Sequence, residues 1–110
     1  MYHAYGQTVH CVSALRKSIP IYVMQKFDFG KMLKYIQDYR ITGLTLVPPI
    51  VVALAKRPEV QHFDLSSVES AGCGAAPLGQ EPQKEFEGLW PAGQVNLKQG
   101  WGMTEITCSA

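Results

Sequence analysis

The 110-residue chain reads as an α/β protein of alternating helices and mostly parallel strands. Three observations carry that reading. Strand-like runs alternate with helical patterns along the chain, which favours a parallel sheet with crossover helices. No internal repeat or low-complexity stretch interrupts the alternation. Two loops of small residues, around Gly74 and Gly100, fall just after strand-like runs, and ligands of such sheets bind beyond the carboxyl ends of the strands.

In order, residues 7–17 carry Val9, Val12 and Leu15 at helical spacing. Residues 19–24 form a β-rich run with Pro20 near its start, where a missing N–H is tolerable. Asp28 is placed to cap a helix with the apolar face Phe29, Met32, Leu33 and Ile36, ending near Arg40 and before Gly43. Residues 43–47 are the next strand. Pro49 suits the first turn of a helix over Ile50, Val51 and Leu54, and Pro58 stops it.

Residues 61–67 are polar and turn-rich, and residues 68–73 form a shorter strand. Residues 74–79 are a loop of small residues. Pro82 sits in the first turn of a helix that buries Phe86 and Leu89. Residues 95–97 are the last strand, running into Gln99-Gly100-Trp101-Gly102.

Apolar residues make up 46% and charged residues 17% of the chain, a globular balance. A net charge of +1 and scattered basic residues give no reason to expect nucleic acid as a partner. Cys11, Cys73 and Cys108 are far apart, with no C-x-x-C pair, so they read as small semi-buried thiols of a reducing compartment. No apolar run approaches the roughly 20 residues of a membrane span. The N-terminus lacks the charged-then-apolar order of a leader.

The segment from Gln99 to Glu105 holds the most chemistry. Glycines on both sides of an aromatic let backbone approach a flat ligand while the ring flanks it. Thr104 adds a hydroxyl for a phosphate oxygen, and Glu105 adds a hard carboxylate of the kind magnesium takes beside substrate phosphates. Taken alone, the pattern also fits a bare turn, and it lacks the spacing of a Walker loop or dinucleotide fingerprint.

Five segments together resemble the adenylate-forming (AMP-dependent synthetase and ligase) superfamily. Trp101-Gly102-Met103-Thr104-Glu105 resembles its Y-G-x-T-E signature. Met1-Tyr2-His3-Ala4-Tyr5 resembles the P-[ML]-[FY]-H motif of 4-coumarate–CoA ligases, related acyl-CoA synthetases and luciferases. Gly72-Cys73-Gly74-Ala75-Ala76-Pro77-Leu78-Gly79 resembles the S-G-[GA]-A-P-L-G loop, Gln25-Lys26-Phe27-Asp28 the P-K-F-[DE] turn, and Val47-Pro48-Pro49 the V-P-P that follows a strand. The 4-coumarate–CoA ligase-like branch fits best.

The resemblance implies a fragment of the large N-terminal domain of an ATP-dependent acid–CoA ligase. A carboxylate attacks the α-phosphate of ATP to give an acyl-adenylate and pyrophosphate, and the CoA thiol then displaces AMP. It also implies roles. Gly74, Ala75 and Ala76 would line the adenine and acyl pockets through backbone atoms. Gln99, Gly100, Trp101 and Gly102 would hold the adenylate, with Trp101 in place of the usual tyrosine. Thr104 would contact phosphate and Glu105 would help hold Mg2+. His3 would sit beside the reacting carboxylate, with Tyr5, Gly72 and Gly74 at the acyl pocket. Lys26 would contact CoA. Met103 is read as packing, and Cys73 stands where serine or glycine is more usual.

By the same resemblance residues 1–110 are a partial adenylation domain. Its glycine-rich phosphate loop is expected upstream, and a C-terminal domain with the adenylation lysine downstream. The fragment is expected to be inactive alone and poorly stable, with an unpaired strand edge and exposed faces at Phe29, Met32 and Ile36. The acid is expected to be aromatic, 4-coumarate-like, or a medium-chain fatty acid, and the compartment cytoplasmic or peroxisomal. Two alternatives stand beside this. One is an adenylating enzyme with a carrier-protein or luciferase-like acceptor; the other is a non-catalytic binding module or truncated gene product.

Overall fold

The computed structural model describes residues 2–108. They divide into a unit of residues 2–27 with 101–108 and a unit spanning Asp28–Gly100.

In the first unit the helical pattern of residues 7–17 does form a helix, but most of it is wound more loosely than expected. Gly6–Ser13 is π-helical and Ala14–Arg16 (α1) adds a single α-helical turn. The i→i+5 bonding of a π segment turns less per residue, so a three-residue spacing no longer lines up on one stripe. Accordingly Ala14 is buried, whereas Val12 and Leu15 are 57% and 77% exposed.

Residues 19–24 are not the strand their composition suggests. Among the described residues the sheet has three strands, all in the second unit. A strand needs a neighbour to take its N–H and C=O groups, and Pro20 removes one donor from the run. β-propensity alone does not supply that neighbour.

The second unit starts at Asp28, whose backbone is extended and whose carboxylate accepts the Lys31 N–H at 2.9 Å. This cap begins α2, Phe29–Asp38. Leu33 and Ile36 face the core, fully buried, and Phe29 and Met32 pack half-buried against it. The exposed face expected there is therefore absent. The helix stops as Arg40 turns left-handed (φ 50°), while the Ile41 N–H reaches back to the Ile36 carbonyl at 3.1 Å. That six-residue closure satisfies a carbonyl which would otherwise be left over.

Strand β1, Gly43–Leu46, leads into α3, Pro48–Lys56. Strand β2, Ser70–Cys73, leads into α4, Gln80–Glu87, and β3 is Leu97–Gln99. The strands are parallel in the order β1-β2-β3, with Leu44 opposite Ala71 and Ala71 opposite Leu97. Helices α3 and α4, the two crossovers, pack against each other. The alternation of a strand puts Leu46, Ala71, Cys73 and Leu97 on the buried side and Thr45 and Lys98 on the other, exposed one.

Each strand differs in extent from the sequence pattern, β1 ending at Leu46 rather than residue 47. β2 starts at Ser70 rather than residue 68, and β3 covers Leu97–Gln99 rather than residues 95–97. Val68 and Val95 are buried, at 0% and 2% exposure, but they precede the ladder. Apolar pattern marks burial, while a strand is defined by pairing.

The free side of β3 is not left bare. The Leu97 N–H donates to Glu87 Oε1 at 2.8 Å, and Gln83 Nε2 donates to the Leu97 carbonyl at 3.3 Å. Side chains of α4 thus stand in for a neighbouring strand at that residue. Among the described residues no helix is long and apolar enough to cross a membrane.

Candidate functional site

At the carboxyl end of the sheet the ladder runs on past β2 and β3 into both small-residue loops. The Gly74 N–H donates to the Leu46 carbonyl at 3.2 Å, and the Gly100 N–H to the Cys73 carbonyl at 2.9 Å. The two loops therefore lie side by side. A Cβ built on Gly74 would stand 3.7 Å from the Gly100 carbonyl, an ordinary contact, and one on Gly72 would stand 3.9 Å from the Lys98 carbonyl. A Cβ on Gly100 would meet nothing within 4 Å. Neither packing nor backbone angle demands glycine at 100, and the backbone there faces open space.

Ala75 follows Gly74 with φ 74°, a left-handed conformation that costs a residue with a Cβ about 1 kcal/mol. Ala75 and Ala76 are exposed. Cys73, just before the loop, is buried, and desolvation pushes its thiol above the ordinary value. It stays neutral and packs towards the core.

The Gln99 side chain turns towards the protein. Its Oε1 accepts the Leu78 N–H at 3.2 Å, while Nε2 donates to the Leu78 carbonyl at 3.2 Å and to Gln83 Oε1 at 2.8 Å. The sequence reading passed over this set of Leu78, Gln83 and Glu87. Its one visible signal was the i, i+4 spacing of Gln83 and Glu87, which places both on one face of α4.

The remaining predicted residues belong to the first unit. His3 opens the N-terminal helix: its carbonyl accepts the Gln7 N–H at 3.2 Å and its Nδ1 accepts the Tyr5 N–H at 3.2 Å. That is the geometry of a helix cap. With Nδ1 accepting, the neutral ring carries its proton on Nε2 and can donate from there. Tyr5 is half-buried, with its ring edge-on to His10 at 5.8 Å. Lys26 is exposed. Met1, which begins the P-[ML]-[FY]-H match, lies outside the described residues.

Trp101 is 65% exposed and Met103 45% exposed, so neither is core. Thr104–Ile106 is one 3₁₀ turn that carries both Thr104 and Glu105, exposed, on consecutive positions. Among the described residues no group of three His, Cys, Asp or Glu side chains could hold a metal ion. A lone carboxylate still suits magnesium, which commonly takes one or two carboxylates and completes its shell with water and substrate phosphates.

Comparison with known proteins gives this arrangement a family. The chain is 44% identical over 105 residues to 4-coumarate–CoA ligase 3 of Arabidopsis thaliana, which covers 96% of this chain and 18% of that protein. It spans about a fifth of the length of the curated relatives it matches. A red-emitting luciferase from Phrixothrix hirtus superposes with TM-score 0.84 at 35% identity, over 99% of this chain and 25% of that one. The N-terminal domain of FACL13 from Mycobacterium tuberculosis superposes with TM-score 0.82 at 24% identity, over 97% and 26%, a likeness of fold. The profile described as AMP-binding enzyme matches residues 1–110, and the chain belongs to that family.

Proposed function

We propose that this chain forms part of the acyl and adenylate pocket of an ATP-dependent carboxylic acid–CoA ligase. The observation that supports it most is the side-by-side placement of Gly74 and Gly100 at the carboxyl end of the sheet, with open space at Gly100. In this reading a carboxylate oxygen attacks the α-phosphorus of ATP and pyrophosphate leaves. The CoA sulfur then attacks the acyl carbon and AMP leaves.

Gly74, Ala75 and Ala76 present backbone to the adenylate, which Gln99, Gly100, Trp101 and Gly102 help to hold. Thr104 donates its hydroxyl to a phosphate oxygen. Glu105 holds magnesium, which when bound neutralises phosphate charge during the displacement. His3 donates from Nε2 near the reacting carboxylate, with Tyr5 and Gly72 at the acyl wall and Lys26 towards CoA. A 4-coumarate-like aromatic acid is the substrate class that the 44% identical relative suggests. The 110 residues carry only part of the donors such a reaction needs, so they are expected to be inactive in isolation.

The likeness to a luciferase supports a second reading, adenylation with an acceptor other than CoA. One experiment addresses both. The complete gene product is assayed for carboxylate-dependent ATP–pyrophosphate exchange with aromatic and medium-chain acids, then for thioester formation when CoA is added. Exchange followed by thioester is expected. Exchange without thioester selects the second reading, and a folded protein with no exchange on any acid defeats both.

A further inference from the structure

Gln99 ends β3 with both the oxygen and the nitrogen of its amide on one residue of the neighbouring loop. Both backbone groups of Leu78, N–H and C=O, pair with that single amide, as they would with an adjacent strand. The line continues through α4. Gln99 Nε2 donates to Gln83 Oε1, Gln83 Nε2 donates to Glu87 Oε1 at 3.1 Å, and Glu87 Oε1 accepts the Leu97 N–H. It therefore returns to β3 two residues before it began. Residues 74–78 are tied at both ends, at Gly74 to Leu46 and at Leu78 to Gln99. Between the ties lies Ala75 in its strained conformation, which persists only where the surroundings over-determine it.

We propose that Gln99 is a positioning residue: by holding Leu78 it sets the shape of the 74–78 loop, and with it the opening beside Gly100. The nature of the ligand rests on the adenylate reading; the tether does not.

An amide offers an acceptor oxygen and two N–H donors; Leu78 takes the oxygen and one donor, and Gln83 Oε1 takes the other. A carboxylate offers acceptors alone and would face the Leu78 carbonyl with like partial charge. A protonated carboxyl restores one donor, enough for the Leu78 carbonyl. Gln99→Glu therefore makes the tether depend on pH, whereas Gln99→Ala removes it at every pH.

The test uses the complete gene product as wild type, Gln99→Ala and Gln99→Glu, at about pH 7.5 and about pH 4, below the ordinary glutamate value of about 4.3. Hydrogen exchange at the Leu78 amide, corrected for intrinsic rate, reports the loop. Affinity for AMP, taken as a ratio to wild type at each pH, reports the opening. Gln99→Ala is expected to lose about tenfold in Leu78 protection and in AMP affinity, the scale of one or two net hydrogen bonds. Gln99→Glu is expected to match Gln99→Ala at the higher pH and to approach wild type at the lower. Leu78 protection unchanged in Gln99→Ala, or a Gln99→Glu profile parallel to that of wild type, overturns the proposal. Should Leu78 follow the expected pattern while wild type binds no AMP, the tether stands and the adenylate reading falls.

Discussion

The Trp90 indole Nε1–H donates to the Leu65 carbonyl at 2.8 Å, joining the turn that follows α4 to the turn that enters β2. Both residues are buried, and the Trp90 ring meets Phe86 edge-on at 5.0 Å. Trp90→Phe keeps an aromatic ring there but removes the donor. The Leu65 carbonyl retains the Val68 N–H at 3.1 Å, so it is not orphaned. Lost bond and lost volume together should cost about 1–3 kcal/mol. Equilibrium urea unfolding should show a lower midpoint at unchanged slope; an unmoved midpoint would show that water replaces the bond fully.

His3 carries two separable duties, a cap and a proposed contact with the acid. His3→Asn offers a side-chain oxygen in place of Nδ1 to accept the Tyr5 N–H, while His3→Ala leaves no acceptor, at a cost of about 1 kcal/mol. Hydrogen exchange at Tyr5 should therefore quicken in the alanine variant alone. Adenylation should slow in both, because both lack the imidazole. An asparagine variant with wild-type ATP–pyrophosphate exchange would leave His3 with the cap only.

On the proposed reading Glu105→Gln should reduce carboxylate-dependent exchange by about a hundredfold or more, since a magnesium ion held there would lose a charged oxygen ligand. Thr104→Ala should cost about tenfold, the loss of a neutral hydrogen bond. Near wild-type exchange by a folded Glu105→Gln protein removes Glu105 from the site.

Trp101, at 65% exposure, has a face free to stack. Trp101→Tyr should leave the KM for ATP close to wild type, because a flat ring remains. Trp101→Ala should raise it several-fold. Equal KM values for wild type and the alanine variant would place the ring away from the nucleotide.

The pH limbs of stability follow from two groups. Hydrogen bonds from Ser66, then the Arg40 guanidinium at 2.7 Å, hold the Asp64 carboxyl below its ordinary value. Its contribution is present above the unfolded value and is lost as pH falls through the lower, folded one. Cys73 is shifted upward by burial. Its contribution is present below the unfolded thiol value and is lost as pH rises through the higher, folded one. Urea midpoints measured across pH should flatten on the acid side in Asp64→Asn and on the alkaline side in Cys73→Ala. A variant whose limb matches wild type shows that its group does not shape it.

What could be read from sequence was what neighbouring residues decide among themselves. Asp28 and Lys31 make a cap three residues long, Arg40 closes α2 where Gly43 announced an end, and Pro49 stands in the first turn of α3. Residues 19–24 failed because a strand is settled by a partner elsewhere in the chain. The start of β3 was misjudged for the same reason. In the site, glycine placement was legible, while the Gln99 tether to Leu78, 21 residues away, was not. Composition marks which residue types can reach a ligand; only folding shows which of them are already occupied by the protein.

The start of α3 has a consequence for charge. A helix ordinarily presents four unused N–H groups at its first turn, and these make it a phosphate cradle. Here Pro48 and Pro49 have no N–H to present, and those of Ile50 and Val51 both go to the Val47 carbonyl, at 2.9 and 3.2 Å. Every amide of that first turn is missing or already used, and only the diffuse dipole remains. The corner where β1 hands over to α3 is therefore closed to an anion that seeks backbone donors. An anion that comes near that corner has to find its donors on other elements, and the first turn of α3 is left to the uncharged part of whatever enters.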